Sequence, residues 1–510
     1  MSLSQSLNIS LTSMKNNQTA LAVVSHNIAN LNTKGYSKQR VNFSETRLPM
    51  YSDNVISKIQ SLNGAGLDSI STYVDASVLK NLINTNSDAQ YYDNLADALD
   101  DLEDVADALG DSGLNALLND FYAASANLEQ FPSDISIRQQ YVIALDNVCD
   151  KFNYITDKYD SILEDNYNDT ENTVSAINNL LSDLATVNLS HVKNGGNTAT
   201  QNQINNILSE LSDYVGFTYD QNTNGSYNVY IGGVNVVAGT EQVYELQSSY
   251  NEDATPPLSI VMQSLTDDSK TKDISSEIKT GSLKANIDFI NGTSKTVGFT
   301  TITEMKSTLK EAQDAFKDAL NGIQQYANTD ENEYAAYITS NNRELFLAAD
   351  GNKPALPPEL LIYDSDGKLQ VNPDVMDNPY YIAAARIDLD NYEEGDDWTK
   401  SIGNSDNARY MTALQSEKIC SYGGGVNNCT LSQFLINSAA KTGMDLASAE
   451  SKADLYDGIA QAAAEDYANA TGVNLDEELA DMIKYQRAFE ASAKVFAAAD
   501  YILQTILSIV

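Results

Sequence analysis

Cysteine, histidine and tryptophan are close to absent from this 510-residue sequence, which holds three, two and one of them. The three cysteines, Cys149, Cys420 and Cys429, cannot build a disulfide framework. His26 and His191 have no partner at metal-ligand spacing. No His-Glu-x-x-His, Cys-x-x-Cys, Walker loop, GxGxxG or GxSxG occurs. The sequence therefore offers no catalytic group, no cofactor site and no metal site, and both histidines are expected to be structural. Basic residues are scarce too, with 31 Lys and Arg against 71 Asp and Glu, a net charge of −40. Such a chain repels phosphate backbones and anionic lipid surfaces, which argues against nucleic acid and membrane as partners. No apolar run approaches the roughly 18 residues of a membrane span, so membrane insertion is not expected. The opening MSLSQSLNISLTSMKNNQTA lacks a basic start, an apolar core and a small-residue cleavage site, so no cleaved secretory signal is expected.

What the sequence does have is concentrated at its two ends. Leu7, Met14, Leu21 and Ile28 lie seven apart, and Leu3, Leu11, Val24 and Leu31 form a second row beside them. This is a heptad stripe on a helix with polar remaining faces. The stripe stops at Asn27, Asn30, Asn32, Gly35 and Tyr36, with Gly35 suited to a left-handed exit. Near the other end, Leu475, Leu479, Met482, Phe489, Ala493, Phe496, Leu503, Leu507 and Val510 repeat the four–three spacing, interrupted by Gln486 and Asp500. Asn474 is the N-cap, and Asp476, Glu477 and Glu478 complement the helix dipole. No Pro or Gly follows Leu475, so the helix runs for roughly 50 Å at about 1.5 Å per residue. Residues 1–50 carry a net charge of about +4 and residues 475–510 about −3, so the end helices can pair with each other and with neighbouring copies.

Between the ends, helical periodicity holds from about Asp68 to Leu189, with a break at Pro132 and separate helices at Asp134–Asp165 and Thr173–Leu189. Asn194-Gly195-Gly196 ends this run and QNQINNILSELSDYVG resumes a helix. At 217–237 the period falls to two around Asn224-Gly225, a β-hairpin signal. Ile302, Met305, Leu309, Phe316, Leu320 and Ile323 line one face of a later helix. Residues 328–404 hold most of the prolines and read as short strands and loops. The expected architecture is mainly α with a smaller β part. Residues 1–35 pair with 475–510 as a coiled coil. Residues 36–327 with 405–474 form a helical inner domain, and 328–404 a short irregular or β outer region.

Three further patterns bear on metal binding, turns and cross-linking. Asp220-x-Asn222-x-Asn224-Gly225 opens like a calcium loop, but its twelfth position is Ile231 where a bidentate Glu is required, and a hairpin explains the same residues. Asp364-Ser365-Asp366-Gly367-Lys368 reads as a turn. Cys420 and Cys429 flank SYGGGVNN, a loop that one disulfide could close; two neighbouring free thiols are the alternative.

TALAVVSHNIANLNTKGYSKQR at 19–40 resembles the N-terminal signature of flagellar rod, hook and hook-associated proteins. GYSKQR and the C-terminal TGVNLDEELADMIKYQRAFEASAKVFAAADYILQTIL at 471–507 are similar to the hook-associated protein 1 family. SGLNALLNDFYAASANLEQFPSDISIRQQ at 112–140 and INNILSELSDYVGFTYDQNTNGSYNVYIGG at 204–233 resemble that family's helical segment and its helix-plus-hairpin; GSLKANIDF at 281–289 and SDNARYMTALQ at 405–415 match more weakly. The resemblance covers about half the chain, in order. It implies a structural subunit, not an enzyme, that joins hook to filament. It implies export by the flagellar type III apparatus, an extracellular position on the flagellum and a ring of about eleven copies. It implies hook protein, the second junction protein and an export chaperone at the C-terminal helix as partners. Relatives often carry a large β domain after the position of Leu345-Phe346, and residues 347–404 leave little room for one. The alternatives are another axial protein such as the hook subunit, a surface adhesin, or a filament-borne hydrolase.

Overall fold

A computed structural model describes residues 3–33, 36–48, 61–72, 76–110, 113–252, 254–267, 269–328, 333–336, 357–388, 404–422 and 426–509. In chain order these form helix α1 (Leu3–Ala29), strands β1 (Gln39–Leu48) and β2 (Ser61–Thr72), and helices α2 (Ala76–Ala106), α3 (Leu114–Gln130), α4 (Ile135–Lys193) and α5 (Thr198–Tyr214). Strands β3 (Phe217–Gln221), β4 (Tyr227–Ile231), β5 (Val234–Ala238), β6 (Glu241–Gln242), β7 (Tyr244–Tyr250), β8 (Leu258–Ser264) and β9 (Thr271–Asp273) follow. Then come α6 (Ser282–Asn291), α7 (Ser294–Val297), α8 (Ile302–Gln324), β10 (Ala327–Asn328), β11 (Glu333–Ala336), β12 (Leu361–Tyr363), β13 (Leu369–Val371), α9 (Pro373–Asp377), β14 (Ala385–Asp388), α10 (Asp406–Ala413), α11 (Leu431–Thr471) and α12 (Leu475–Ile509). The fold is mainly helical with a smaller sheet portion, as expected from the sequence.

The helical body is built on α4. No Gly or Pro interrupts Ile135–Lys193, so one 59-residue helix runs where two were expected. At about 1.5 Å per residue it is roughly 90 Å long. The polar stretch Asn166–Asn172, which suggested a break, stays helical. Thr170 returns its hydroxyl to the Asn166 carbonyl at 2.9 Å and Tyr167 packs 5.7 Å from the Tyr250 ring. Asp134 caps the helix start by accepting from Ser136 N–H at 2.8 Å. Phe121 of α3, Tyr141 and Phe152 of α4 and Phe316 of α8 are fully buried in one aromatic cluster. Their centroids are 5.2 Å (Phe121–Tyr141), 5.6 Å (Phe121–Phe316) and 6.3 Å (Phe152–Phe316) apart. Truncating such a residue to Ala costs about 3–5 kcal/mol. The face of α8 read from the sequence is the one buried: Ile302, Met305, Leu309, Phe316 and Leu320 are in the core and Ile323 at its edge. α2 lies against the long helix α11, with Tyr92 stacked on Tyr456 at 4.6 Å.

Two sheet regions depart from the expected pattern. Residues 68–72 belong to β2 rather than to a helix, paired antiparallel with β1 from Gln39↔Thr72 to Leu48↔Ser61. The region expected as one hairpin at 217–237 holds three strands. A five-residue turn, Asn222–Ser226, joins β3 to β4, and Gly232-Gly233, both at positive φ, join β4 to β5. Asn224 Oδ1 accepts from Ser226 N–H at 3.0 Å, so the calcium-like string is a turn. The Asp364–Lys368 segment is a turn as well, with Asp364 Oδ1 accepting from Asp366 and Lys368 N–H.

A short sheet pairs β10, β11 and β14. Two arginines are fixed beside it. Arg138 is buried and, among the described residues, meets no carboxylate; it donates to the carbonyls of Pro132 (2.7 Å), Pro379 (3.2 Å) and Ile382 (2.8 Å). Burial pulls its guanidinium down to about 10. Arg386 lies 3.6 Å from the ring centroids of both Tyr326 and Tyr410. Residues 337–356, including Leu345-Phe346, and residues 389–403 lie outside the described residues.

Candidate assembly interface at the paired termini

α1 and α12 run side by side over most of their length. Ser10, Ala20, Val23, Val24 and Asn27 are buried on α1, and Glu478 and Ala499 on α12. Small residues allow close approach where Ser13 Oγ meets Ser492 Oγ at 2.9 Å. The heptad positions divide into two groups. Leu3, Leu7, Met14, Leu21 and Ile28 of α1 and Met482, Phe489, Ala493, Phe496 and Leu503 of α12 are half-buried in the pair. Leu11, Leu31, Leu475 and Leu479 remain about two-fifths exposed. Leu507 is within α12 with its side chain outside the description, and Val510 lies outside the described residues. The helix also carries apolar residues that the heptad reading passed over. Ile483, Val495, Ile502 and Ile506 are each about half exposed, and helical spacing puts Val495, Ile502 and Ile506 on one stripe.

The two helices are locked at one end by a polar clasp. Asn474 caps α12, its Oδ1 accepting from Asp476 N–H at 2.9 Å. That cap turns Glu478 inward, where its side chain is 1% exposed. One carboxylate oxygen accepts from Asn27 Nδ2 at 3.0 Å and the other meets Lys38 Nζ at 2.9 Å. Lys38 Nζ also reaches Glu477 at 2.9 Å, and Lys38 N–H donates to the Thr471 carbonyl at 2.7 Å. Asn27 pairs with the backbone of Gln39 through both ends of its amide, at 3.0 Å each. Tyr36 OH donates to Asn27 Oδ1 at 2.7 Å, which leaves His26 Nδ1 to donate to the Tyr36 oxygen at 3.0 Å. Burial, with the Glu478 charge nearby, pushes the Tyr36 phenol up to about 12. Burial alone would lower the Lys38 ammonium, but its bonds to Glu478 and Glu477 outweigh that and hold it above its ordinary value.

The helix-exit residues thus have distinct places. Asn27 and Tyr36 are in the clasp. Asn30 turns the chain, with Nδ2 on the His26 carbonyl at 2.9 Å. Asn32 is exposed, and Gly35 lies outside the described residues. The sequence singled out neither Lys38 nor the inward role of Glu478. Nothing local separates Glu478 from Asp476 or Glu477, and its partner is 451 residues away.

Beside the clasp, the β1–β2 ribbon leans on α1 and exposes Phe43, Leu67 and Ile70. Cys420 and Cys429 face each other across an isolated antiparallel bridge as free thiols. His191 is buried with Nδ1 on Thr200 Oγ1 at 2.7 Å, bordering a cavity of about 600 Å³ under β2. Among the described residues no group of three His, Cys, Asp or Glu side chains is placed to hold a metal ion, and no helix is long and apolar enough to cross a membrane.

Comparison with known proteins agrees with this geometry. Residues 99–337 match the helical domain of flagellar hook-associated protein FlgK. Residues 7–36 match the flagella basal body rod protein family and 464–509 the FlgEFG C-terminal family. Flagellar hook-associated protein 1 of Bacillus subtilis is 32% identical over 174 residues, and that match spans 34% of each chain. The flagellar hook junction protein FlgK of Burkholderia pseudomallei superposes with a TM-score of 0.54 at 13% identity, over 75% of this chain and 98% of that one, which is a likeness of fold.

Proposed function

From the premise that this chain belongs to the flagellar hook-associated protein 1 family, whose members are structural proteins of the flagellum, we propose that it is the adaptor between hook and filament. The observation that carries this reading is the half-finished packing of α12. One face is used on α1, while Ile483, Val495, Ile502 and Ile506 stay exposed. A helix that keeps apolar side chains exposed beyond its paired face is suited to a position among neighbouring helices. Faces of different composition meet head to tail, and such heterologous contacts close into rings or continue as helical tubes. Residues 1–35 with 475–510 are the inner tube, and a ring of about eleven copies fits the reading. The heptad positions of both helices, exposed and half-buried alike, are its contact residues.

Residues 36–327 with 405–474 form the surrounding layer and 328–404 the outer surface. Hook protein lies on one side of the ring and the second junction protein on the other. The chain leaves the cell unfolded through the type III apparatus, escorted by a chaperone on α12. The acidic body disfavours unspecific association on the way. Catalysis has no part in this role. The test is incorporation of a Val495→Asp, Ile502→Asp double variant into flagella of cells lacking the native chain. Loss of the variant from sheared filaments, with its α1–α12 exchange protection intact as a monomer, is the expected result. Normal incorporation would overturn the reading.

A further inference from the structure

We propose that Cys420 and Cys429 are a modification site, closing into an intramolecular disulfide when the chain meets a low-molecular-weight disulfide such as cystine. The pairing rests on geometry. Cys420 N–H donates to the Cys429 carbonyl at 3.2 Å and Cys429 N–H to the Cys420 carbonyl at 3.3 Å. A residue pair that exchanges both bonds holds its Cα atoms about 5.5 Å apart. That lies inside the disulfide range of roughly 4.4–6.8 Å. The neck of the loop is held independently of sulfur. Asn428 accepts from Tyr422 N–H at 2.9 Å and returns its amide to the Tyr422 carbonyl at 2.7 Å. Asn427 adopts a positive φ of 43° and donates from its N–H to Ser421 Oγ at 3.0 Å. The two cysteines are therefore held opposite each other across the neck, with Cys429 Sγ 3.5 Å from the Cys420 carbonyl.

The chemistry is a double exchange. One cysteine thiolate attacks the external disulfide, forming a mixed disulfide and releasing one small thiol. The second cysteine attacks the protein sulfur of that mixed disulfide and releases the other. Two protein thiols are oxidised, one external disulfide is reduced to two thiols, and both protons end on the released thiols. Burial raises both thiols, Cys420 to about 12, so little thiolate exists in the folded chain at neutral pH. Closure is accordingly slow on the folded protein and fast on a chain that refolds in the presence of the oxidant. Cys149 sits alone in the core and stays a thiol. The bond would fix the entry to α11 just ahead of its Thr430–Gln433 capping box. The exposure to an oxidant rests on the secreted position proposed above; the pairing does not.

The experiment refolds the full chain from denaturant with cystine, blocks free thiols under denaturing conditions and counts them by mass. Tryptic digestion keeps both cysteines in one peptide, residues 419–441. The expected result is one alkylated thiol, at Cys149, and an unalkylated 419–441 peptide about 2 Da lighter than its reduced form. The Cys149→Ser variant should then show no free thiol, and Cys429→Ser should show two. Three alkylated thiols after refolding, or cystine-linked adducts that do not resolve, would overturn the pairing. The same count on chain sheared from native flagella separates the two premises. One thiol there supports both, whereas three thiols there with one in the refolded protein would refute oxidation in place while leaving the geometry standing.

Discussion

Removing the Glu478 carboxylate should loosen the terminal helices while leaving the body of the protein unchanged. In Glu478→Ala the Lys38 ammonium, 10% exposed, keeps only Glu477, whose side chain is 66% exposed. Breaking a buried ion pair by deleting one partner costs about 3–5 kcal/mol. The remaining pair with Glu477 places the expected loss near 3 kcal/mol. At about 1.4 kcal/mol per factor of ten, local opening of the pair becomes roughly a hundredfold more populated. Hydrogen exchange read by mass spectrometry on α1 and α12 peptides measures this directly, with α4 as internal reference. A Lys38→Met, Glu478→Leu double variant replaces the pair by apolar groups and should recover most of the protection, because the cost lies in the stranded charge. Less than about a threefold change in Glu478→Ala, or a double variant as open as the two single losses added together, would refute this account of the clasp.

The same clasp should fail in alkali. Tyr36 and Lys38 both titrate higher in the folded chain than in the unfolded one, so their contribution is full below about pH 10 and is lost as pH rises through the folded value, about 12 for Tyr36. Exchange protection of α1 and α12 should fall over that window ahead of α4. His191 behaves oppositely. Burial lowers it, so its contribution is full above about pH 6.5 and lost as pH falls through its lower folded value, and His191→Gln should flatten the acid limb of a thermal-melt series. Arg386→Lys gives up a planar cation held between the Tyr326 and Tyr410 rings and should cost roughly 1–2 kcal/mol, seen as faster limited proteolysis in the outer region.

What could be read from the sequence was whatever a single element decides by itself. The end helices, α8 and the turn at Asn222–Ser226 each carry their own signal, in heptads, one apolar face or an Asn-Gly step. α4 was divided because its apolar stripe lapses at Asn166–Asn172, where packing on the Tyr250 side keeps the helix continuous. The β7–β8 pair escaped notice, although Leu258–Ser264 alternates buried and half-buried at every step. Its inward Leu258, Ile260 and Met262 alternate with Ser259, Val261 and Gln263, and the apolar Val261 on the outward face blurs the period. The β1–β2 ribbon was not legible, since Gln39–Leu48 is mostly polar and its pairing is set by a partner 13 (Leu48↔Ser61) to 33 (Gln39↔Thr72) residues on. At the clasp, local sequence reveals the turn residues Asn27 and Tyr36 but not the Lys38–Glu478 pair, which only the meeting of the two termini creates.

That meeting point has a mechanical consequence. α1 leaves the terminal pair through residues 30–39 and α11 enters it through 471–475, so two backbone tethers join it to the body. The Lys38–Thr471 hydrogen bond ties those tethers together. Two cords bound at one point act as a pivot: stiff against being pulled apart, compliant against tilting. Asn27, Lys38 and Glu478 add side-chain bonds to that backbone tie at the same point. If copies of this chain stand side by side around a bending joint, as proposed above, each in turn must stretch on the outside of the bend and shorten on the inside. A subunit hinged in this way can follow that cycle by tilting its body about the clasp while its end helices keep their register.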